Sequence, residues 1–371
     1  MEGTKPRTAS SIGMFDMLKG AGMLTIVFAH TAELYPMQAV SGLSLTAFFP
    51  FIYREALMSA FFIASGYGFR KRSIHKCIHQ QLKSLLKPYA YTALFTCVLH
   101  FIIHYRTFHY LPGTIGESIK VTGGFLLGLP HTAEYFGQEF FSCGPMWYLL
   151  ALMVGWVLLD VILNIFPERY VPWAVAGCVL LGWGASLVWE LPFCLIQGAV
   201  VVPYLYIGFL AKKKHLLDEP LPPKVFVGLL AATALIAVGA LATRTTDCIS
   251  LAEWSLGPLS IFLDGAAGLL FIRLFMRLSH GHGPIVHFLE AVGRRSLNIF
   301  CVHTVEIIAI PWYLMVAKFS AQPVLGMWLQ YAIALGSIWL VCELLRVRRA
   351  LIIRFFPAQR RTPAVHYTSR H

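Results

Sequence analysis

Long apolar runs, separated by short polar loops, make up most of the chain. A membrane-spanning helix needs about 20 predominantly apolar residues, and about ten segments approach that length. Several of them contain Pro or Gly, which membrane helices tolerate. The predicted spans are 15–35, 45–69, 88–104, 144–164, 172–189, 195–211, 224–242, 255–278, 295–317 and 324–346. The pattern predicts an all-α integral membrane protein, with one ten-helix domain over residues 1–346 and a basic cytoplasmic tail over 347–371.

Two local features qualify this pattern. The apolar run 121–130 is too short to cross a membrane, so it is predicted to lie at the interface or to re-enter. Asp264 lies near the middle of the eighth span and needs a polar partner there, for which Arg273 or a cavity is predicted.

The distribution of Lys and Arg predicts the orientation. Basic residues are concentrated in loop 70–87, loop 212–224 and the tail, whereas the alternate loops 36–44 and 190–194 contain none. Cytoplasmic loops of membrane proteins carry an excess of Lys and Arg. Both termini are therefore predicted to be cytoplasmic, and ten crossings satisfy that parity.

Composition supports a membrane protein. The chain of 371 residues is 57% hydrophobic and 13% charged, whereas a soluble protein carries about 25% charged residues. The net charge of +12 is held largely in short loops between apolar runs, so membrane lipid is the predicted surrounding and no nucleic-acid partner is expected. The eight cysteines form no CxxC pair, so the sequence indicates neither a zinc site with paired cysteines nor a redox pair.

The first predicted helix carries a stripe of charged residues. Lys19 and His30 are eleven residues apart, close to three helical turns, so both fall on one face roughly 16 Å apart. Asp16 and Glu33 lie three residues outside them on the same face. Lipid does not tolerate such a stripe, so it is predicted to face protein or a water-filled cavity.

His30 and Lys19 each have a chemical and a structural interpretation. As a group that titrates near neutrality, His30 can be a general base or a transient acyl carrier; it can equally be a hydrogen-bonded histidine in a helix interface. Lys19 can bind a phosphate of an anionic cofactor from the cytosol, or it can be an anchor that extends to the interface. Asp16 either orients Lys19 or caps the helix.

A second His-x-x-Glu pair occurs in the ninth span. Glu33 can contact His30 and raise its basicity, and His303 and Glu306 repeat that spacing. Two such pairs are possible metal ligands. The spacing recurs easily by chance, so no metal is expected and His303 is predicted to face the same cavity as His30.

Further polar and aromatic residues are candidates for binding. Arg70 and Arg72 follow the second span and can bind nucleotide phosphates, although lipid headgroups are the simpler partner. Trp147 opens the fourth span, either as a platform for a sugar ring or as an interfacial aromatic residue. Ser65 is expected to bond backbone locally, and Arg54 to pair with a neighbouring helix or line the mouth of the cavity.

Motifs along the chain resemble the membrane acyltransferase-3 family, the integral-membrane O-acyltransferases that decorate bacterial surface glycans. The family has a basic residue, ten residues and then His, as Lys19 and His30 do here, preceded by the Asp-x-x-(Lys/Arg)-Gly setting. The other matching motifs are Phe61-Phe62-Ile63-Ala64-Ser65-Gly66-Tyr67, Gly144-Pro145-Met146-Trp147-Tyr148-Leu149, Tyr206-Ile207-Gly208-Phe209-Leu210 and Ser296-Leu297-Asn298-Ile299-Phe300-Cys301-Val302-His303.

The resemblance implies a multi-pass protein of the inner cell membrane that transfers an acyl group, usually acetyl, from cytosolic acyl-CoA to a glycan or glycolipid hydroxyl at the outer face. It implies that His30 is catalytic and that Lys19 helps to bind the donor. Their positions and chemistry add Glu33 as a second catalytic residue and Arg70 and Arg72 as donor-binding residues. The predicted acceptor-binding residues are Trp147, His303 and Glu306. Two departures stand out. Many members carry Arg where this chain has Lys19, and a lysine lacks the bidentate fork. The usually Arg-rich motif before the third span is here Gln80-Gln81-Leu82-Lys83-Ser84-Leu85-Leu86-Lys87-Pro88.

A transporter is the alternative function. Polar stripes in several spans also suit a multi-pass exporter of a glycan-related or acylated molecule. The sequence contains no convincing inverted repeat, which favours the enzyme. It leaves the acceptor, the acyl group and the oligomeric state open.

Overall fold

The computed structural model describes residues 12–35, 51–243, 245, 247–281 and 283–355. Helices make up most of this part of the chain, together with one small hairpin. The helices are α1 (Asp16–Glu33), α2 (Met58–Tyr67), α3 (Ile74–Gln81), α4 (Lys87–Phe108), α5 (Leu111–Leu127), α6 (Trp147–Ile165), α7 (Val171–Ser186), α8 (Leu195–Val200), α9 (Val202–Lys213), α10 (Pro223–Thr243), α11 (Pro258–Leu278), α12 (Pro284–Gly293), α13 (Ser296–Ala309), α14 (Tyr313–Lys318) and α15 (Pro323–Phe355). The strands are β1 (Ala133–Tyr135) and β2 (Gln138–Phe140), and single turns of π- or 3-10 helix precede α1, α2, α4, α6 and α7.

Every predicted span contains helix, although part of the second span lies outside the described residues. Within the described residues, six helices are long and apolar enough to cross a membrane. They are Ile74–Phe108, Gly144–Ile165, Leu195–Lys213, Pro223–Thr243, Pro258–Leu278 and Pro323–Arg348. The protein is thus an all-α membrane protein, while the number of ten crossings and the orientation stay predictions.

The segment around residues 121–130 forms a longer helix than its apolar run indicates. α5 begins at Leu111 and ends where Gly128 adopts a left-handed conformation, φ 60°. Its polar side includes Lys120, which pairs with Glu117 at 3.2 Å and with Glu139 of β2 at 3.6 Å. Polar residues interrupt the apolar run, so a search for unbroken hydrophobicity finds only the last part of the helix.

A tight hairpin follows α5. β1 and β2 pair antiparallel, and the two residues between them, Phe136 and Gly137, both have positive φ. Positive φ at both central positions is the geometry that matches the twist of a two-residue hairpin. The side chain of Phe136 is 99% exposed.

Glycines let two pairs of helices meet at their backbones. A Cβ on Gly20 of α1 would overlap the carbonyl oxygen of Leu289 in α12, and a Cβ on Gly293 would overlap that of Asp16. α12 lies within a stretch for which the sequence predicted no span, yet it fixes the N-terminal half of α1. Gly66 of α2 and Gly208 of α9 make the same kind of contact with each other's helix. Small residues are what allow membrane helices to approach this closely.

The centre of the bundle is formed by α2 and α9. Phe62, Ile63 and Leu205 are fully buried there, as is Tyr204. The Tyr204 hydroxyl donates to Asp264 Oδ2 at 3.5 Å, so the carboxylate in the middle of α11 has a tyrosine as partner. Arg273, the predicted partner of Asp264, donates to the carbonyl oxygens of residues 216, 217 and 219 beyond α9.

Candidate active site

A cavity of about 540 Å³ lies between α1, α2, the start of α6, the start of α13 and loop 248–251. Its volume is within the range of roughly 300–1,000 Å³ that small-molecule sites occupy. Most of the wall is apolar, and the polar groups are concentrated at the two ends of the α1 face. The predicted stripe of α1 therefore faces a cavity, since Lys19, His30 and Glu33 all lie on its wall.

Lys19 marks one end of the cavity. Its Nζ lies 2.8 Å from Asp16 Oδ1, and no side-chain cap is present at the start of α1. Asp16 thus orients Lys19, and capping, the alternative considered for Asp16, is not its role here. The ammonium keeps further N–H groups for a ligand because one bond uses only one of its three donors.

His30 and Glu33 mark the other end. Glu33 Oε2 lies 3.5 Å from His30 Nδ1, and the second carboxylate oxygen accepts from Arg54 at 2.9 Å. Arg54 also lies on the cavity wall, as predicted for a residue at its mouth. The guanidinium holds Glu33 beside the imidazole and balances its charge.

His303 and Glu306 lie behind His30, not on the cavity wall. Their side chains are 1% and 6% exposed, and His303 Nδ1 is 2.9 Å from Glu306 Oε2. An ionised carboxylate only accepts, so Nδ1 carries the proton and Nε2 has the lone pair. Nε2 is buried and has no hydrogen-bond partner among the described residues. The His303 and His30 ring centroids are 5.6 Å apart.

His30 therefore lies beside a carboxylate, with the His303 ring packed against it. Once protonated, the imidazole has an N–H on each ring nitrogen, and Glu33 Oε2 lies 3.5 Å from Nδ1. This arrangement stabilises the imidazolium form, which is what a general base becomes after it takes a proton.

Aromatic residues of α6 form the wall facing α1. Trp147 lies on this wall, and Tyr148 packs on Phe62 with ring centroids 4.6 Å apart. The Tyr148 hydroxyl is 3.1 Å from Ser65 Oγ. The expected local backbone bond of Ser65 is thus replaced by a contact between two helices. Trp156 adds a buried indole N–H to the wall that has no partner within the described residues.

Arg70 and Arg72 do not lie on the cavity wall. Arg70 is exposed, two residues after Gly68, which does line the cavity. The backbone N–H of Arg72 donates to Asp160 Oδ1 at 2.9 Å, and Asn164 donates to its carbonyl oxygen at 2.8 Å. The buried Asp160 of α6 thus fixes the segment after α2 beside the cavity, a role that the sequence did not reveal.

A family described as an acyltransferase domain matches residues 12–347, nearly the whole chain. The chain belongs to this acyltransferase family. No curated protein and no solved structure matches it. Together with the apolar helices, the match makes the protein a multi-pass membrane acyltransferase.

An acyltransferase has to bring an activated acyl group and a nucleophile together away from water. The cavity offers a cation at the Lys19 end, an imidazole at the other end, and an apolar passage between them. In the part of the chain that the structure describes, no group of three or more His, Cys, Asp or Glu residues is arranged to hold a metal ion.

Loop 248–251 completes this acyltransferase cavity and was not predicted. Cys248 and Glu253 exchange both backbone hydrogen bonds, at 2.9 and 3.1 Å, and the Asp247 carboxylate accepts from the backbone of Ser255. These bonds make the loop compact where it lines the cavity. The sequence signal is limited to a short polar stretch between two apolar runs.

Proposed function

We propose that the protein is a membrane O-acyltransferase that moves an acyl group, in the simplest case acetyl, from cytosolic acyl-CoA to a hydroxyl of a cell-surface glycan or glycolipid precursor in the inner membrane. One observation carries the proposal: a single cavity joins Lys19 to His30 along one face of α1. The family supplies acyl transfer, and the cavity supplies a route between a cationic and an imidazole end.

His30 acts as the general base in this reaction. It takes the proton from the acceptor hydroxyl as the oxygen attacks the thioester carbonyl carbon. A C–O bond forms, the C–S bond breaks, and the CoA thiolate leaves and collects a proton. Glu33 accepts the Nδ1–H of the imidazolium and Arg54 holds Glu33 in place, so the other ring nitrogen of His30, Nε2, is the one that takes the proton. The buried His303 ring packs against the His30 ring.

The remaining candidates divide between donor and acceptor. Lys19 faces the negatively charged donor inside the cavity, and Arg70 and Arg72 bind its nucleotide phosphates outside the wall. Trp147 presents an aromatic surface to the acceptor sugar. His303 and Glu306 were expected to bind substrate; because both are buried behind His30, we assign them to the support of that imidazole instead.

The variant His30→Gln tests the base. Glutamine is polar and of similar length but cannot act as a base, so the rate of acyl transfer is expected to fall by about 10²- to 10⁴-fold. The measurement is free CoA released by purified protein given acyl-CoA and the host glycan fraction, together with glycan acetyl signals by NMR. His79→Gln, an exposed histidine of α3, is the matched control. Wild-type acetyl signals in His30→Gln, with equal protein in the membrane, would exclude this role.

An exporter is the second candidate function. The observation that favours it is the same cavity, since polar groups at both ends and an apolar passage between them also suit a translocation path. Transport of an acylated or glycosidic molecule by the purified protein in vesicles, with no release of CoA, would establish the exporter and exclude the enzyme.

A further inference from the structure

A second, smaller pocket lies at the outer end of the cavity. Its volume is about 80 Å³, and its wall includes His131, Tyr135, Trp189, Glu190, Gln197 and Leu251. Leu251 lines the large cavity as well, so loop 248–251 is a wall that the two spaces share. We name the smaller space the loop pocket. It has room for a few hydroxyl groups, since one water occupies about 30 Å³ of liquid.

Gln197 gives the loop pocket a buried acceptor. The side chain is 1% exposed, and Nε2 donates to the carbonyl oxygen of Ser250 at 3.3 Å. A carbonyl only accepts, so this contact fixes the orientation of the amide. The amide oxygen Oε1 is buried and has no partner among the described residues. A buried acceptor of this kind needs an N–H or O–H donor, and no described residue supplies one.

His131 and Glu190 add two more acceptors. His131 Nδ1 lies 3.0 Å from the same Ser250 carbonyl, so Nδ1 is the donor and the neutral ring has its lone pair on Nε2. That nitrogen faces Glu190 Oε1 at 3.4 Å. A hydroxyl has a single hydrogen, so each of these two acceptors takes a ligand hydroxyl of its own.

Aromatic side chains define the rest of the loop pocket. Tyr135 and Trp189 line it, and the Tyr135 hydroxyl donates to the backbone carbonyl of Glu190 at 2.6 Å. Burial, and then the charge of Glu190, raise the pKa of Tyr135, so the hydroxyl remains a donor at neutral pH. Convergent hydrogen-bond acceptors beside flat apolar surfaces suit a molecule with many hydroxyls and apolar C–H faces.

We propose that the loop pocket is a saccharide subsite, in which the Gln197 amide oxygen, His131 Nε2 and the Glu190 carboxylate accept hydroxyl hydrogens from a sugar that extends out of the main cavity. The identity of this sugar as part of the acyl acceptor rests on the proposed function. The binding of a sugar in the loop pocket does not rest on the proposed function, because no step of acyl transfer takes place there. Ser250, through its carbonyl oxygen, orients both Gln197 and His131.

The test measures binding without any acyl donor. Full-length protein in lipid nanodiscs is titrated with methyl glycosides of glucose, galactose, N-acetylglucosamine and rhamnose, followed by saturation-transfer NMR and tryptophan fluorescence. Wild type is expected to bind at least one of them saturably. Gln197→Met, which keeps the side-chain volume, and Glu190→Gln, at an exposed position, are each expected to weaken binding by about tenfold, the equivalent of one hydrogen bond.

The control is a second buried glutamine. Gln330 is also 1% exposed and accepts from the Tyr35 hydroxyl at 2.9 Å, away from the loop pocket. Gln330→Met therefore reports the effect of losing a buried amide alone, and it should bind saccharide as wild type does. The proposal is overturned if wild type binds none of the glycosides, or if both Gln197→Met and Glu190→Gln retain wild-type affinity. Loss of CoA release with saccharide binding intact would count against the proposed function only.

Discussion

The environment of His30 combines residues of different helices. Glu33 comes from α1, Arg54 from the turn before α2, and His303 from α13. The His303–Glu306 pair is buried, and a hydrogen bond to a charged group is stronger in a medium of low dielectric constant. Glu306 thus determines which nitrogen carries the proton in His303, the ring that packs against His30.

Glu306→Gln tests this influence. A neutral amide no longer holds the proton on His303 Nδ1 as a carboxylate does, and it weakens a charged hydrogen bond by about 1.5–3 kcal/mol. If the transition state loses the same stabilisation, kcat falls by about 10- to 150-fold. KM for donor and acceptor should not change, because neither side chain lies on the cavity wall. Steady-state kinetics of CoA release measure both constants.

Glu168→Gln is the control for Glu306→Gln. Glu168 is exposed and pairs with Lys213 at 2.8 Å, remote from the cavity wall, so its replacement should leave kcat unchanged. If Glu306→Gln raises KM for the acceptor while kcat stays at the wild-type value, Glu306 contacts substrate and does not support His30.

Helical periodicity was enough to place the α1 residues. It put Lys19, His30 and Glu33 on one face, and the structure shows that face on the cavity wall. The contacts of Ser65 with Tyr148, and of Arg72 with Asp160, join residues more than eighty positions apart. A single sequence does not tell which helices are neighbours, so contacts of this kind could not be predicted from it.

At the scale of elements, the contact between α2 and α9 organises the bundle. A Cβ on Gly66 would overlap the backbone of Leu205, and a Cβ on Gly208 would overlap the carbonyl oxygen of Ile63. α2 also carries Phe61 and Ser65 of the cavity wall. The closeness of these two backbones therefore decides where one side of the site lies.

Gly208→Val should weaken this contact. The added side chain has backbone atoms in its way, which cannot move aside as a flexible side chain can. Overpacking of this kind costs about 1–3 kcal/mol, and a lower apparent Tm in detergent is expected. Gly177→Val, on α7 where a Cβ meets nothing within 4 Å, is the matched control and should melt near wild type. Equal melting of the two variants would contradict the packing argument.

Elements with mixed polarity were the ones that the sequence analysis missed. Apolar runs predicted the positions of the spans because hydrophobic length is a strong signal. α5 and the hairpin carry polar residues at short intervals, and α12 has only ten residues. Their stability comes from packing on neighbours such as α4 and α1, which a hydrophobicity pattern does not contain.

At the scale of the whole molecule, the two ends of the cavity lie near different kinds of surface. At the Lys19 end, Phe15 packs edge-on against Tyr67, and Lys212 lies 5.8 Å from the centre of the Tyr67 ring. This is the end with basic loops. At the His30 end lie loop 248–251 and the β-hairpin, so the predicted orientation puts the donor end in the cytosol.

Cysteine labelling tests that orientation. Phe136→Cys, at the tip of the hairpin, should react with a membrane-impermeant maleimide in intact cells. Lys214→Cys, exposed after α9, should react only after the membrane is opened. The unsubstituted chain gives the background from its native cysteines. Labelling of Lys214→Cys in intact cells would reverse the orientation and, with it, the assignment of donor and acceptor ends.

The glycine contacts have a mechanical consequence. α1 is joined to α12, and α2 to α9, with backbone against backbone and no compressible side chains between them. Each pair should therefore move as one stiff body, and the cavity lies along the seam between the two bodies. Admission of a bulky substrate then requires the bodies to swing apart at that seam, and bending of a single helix would not open it.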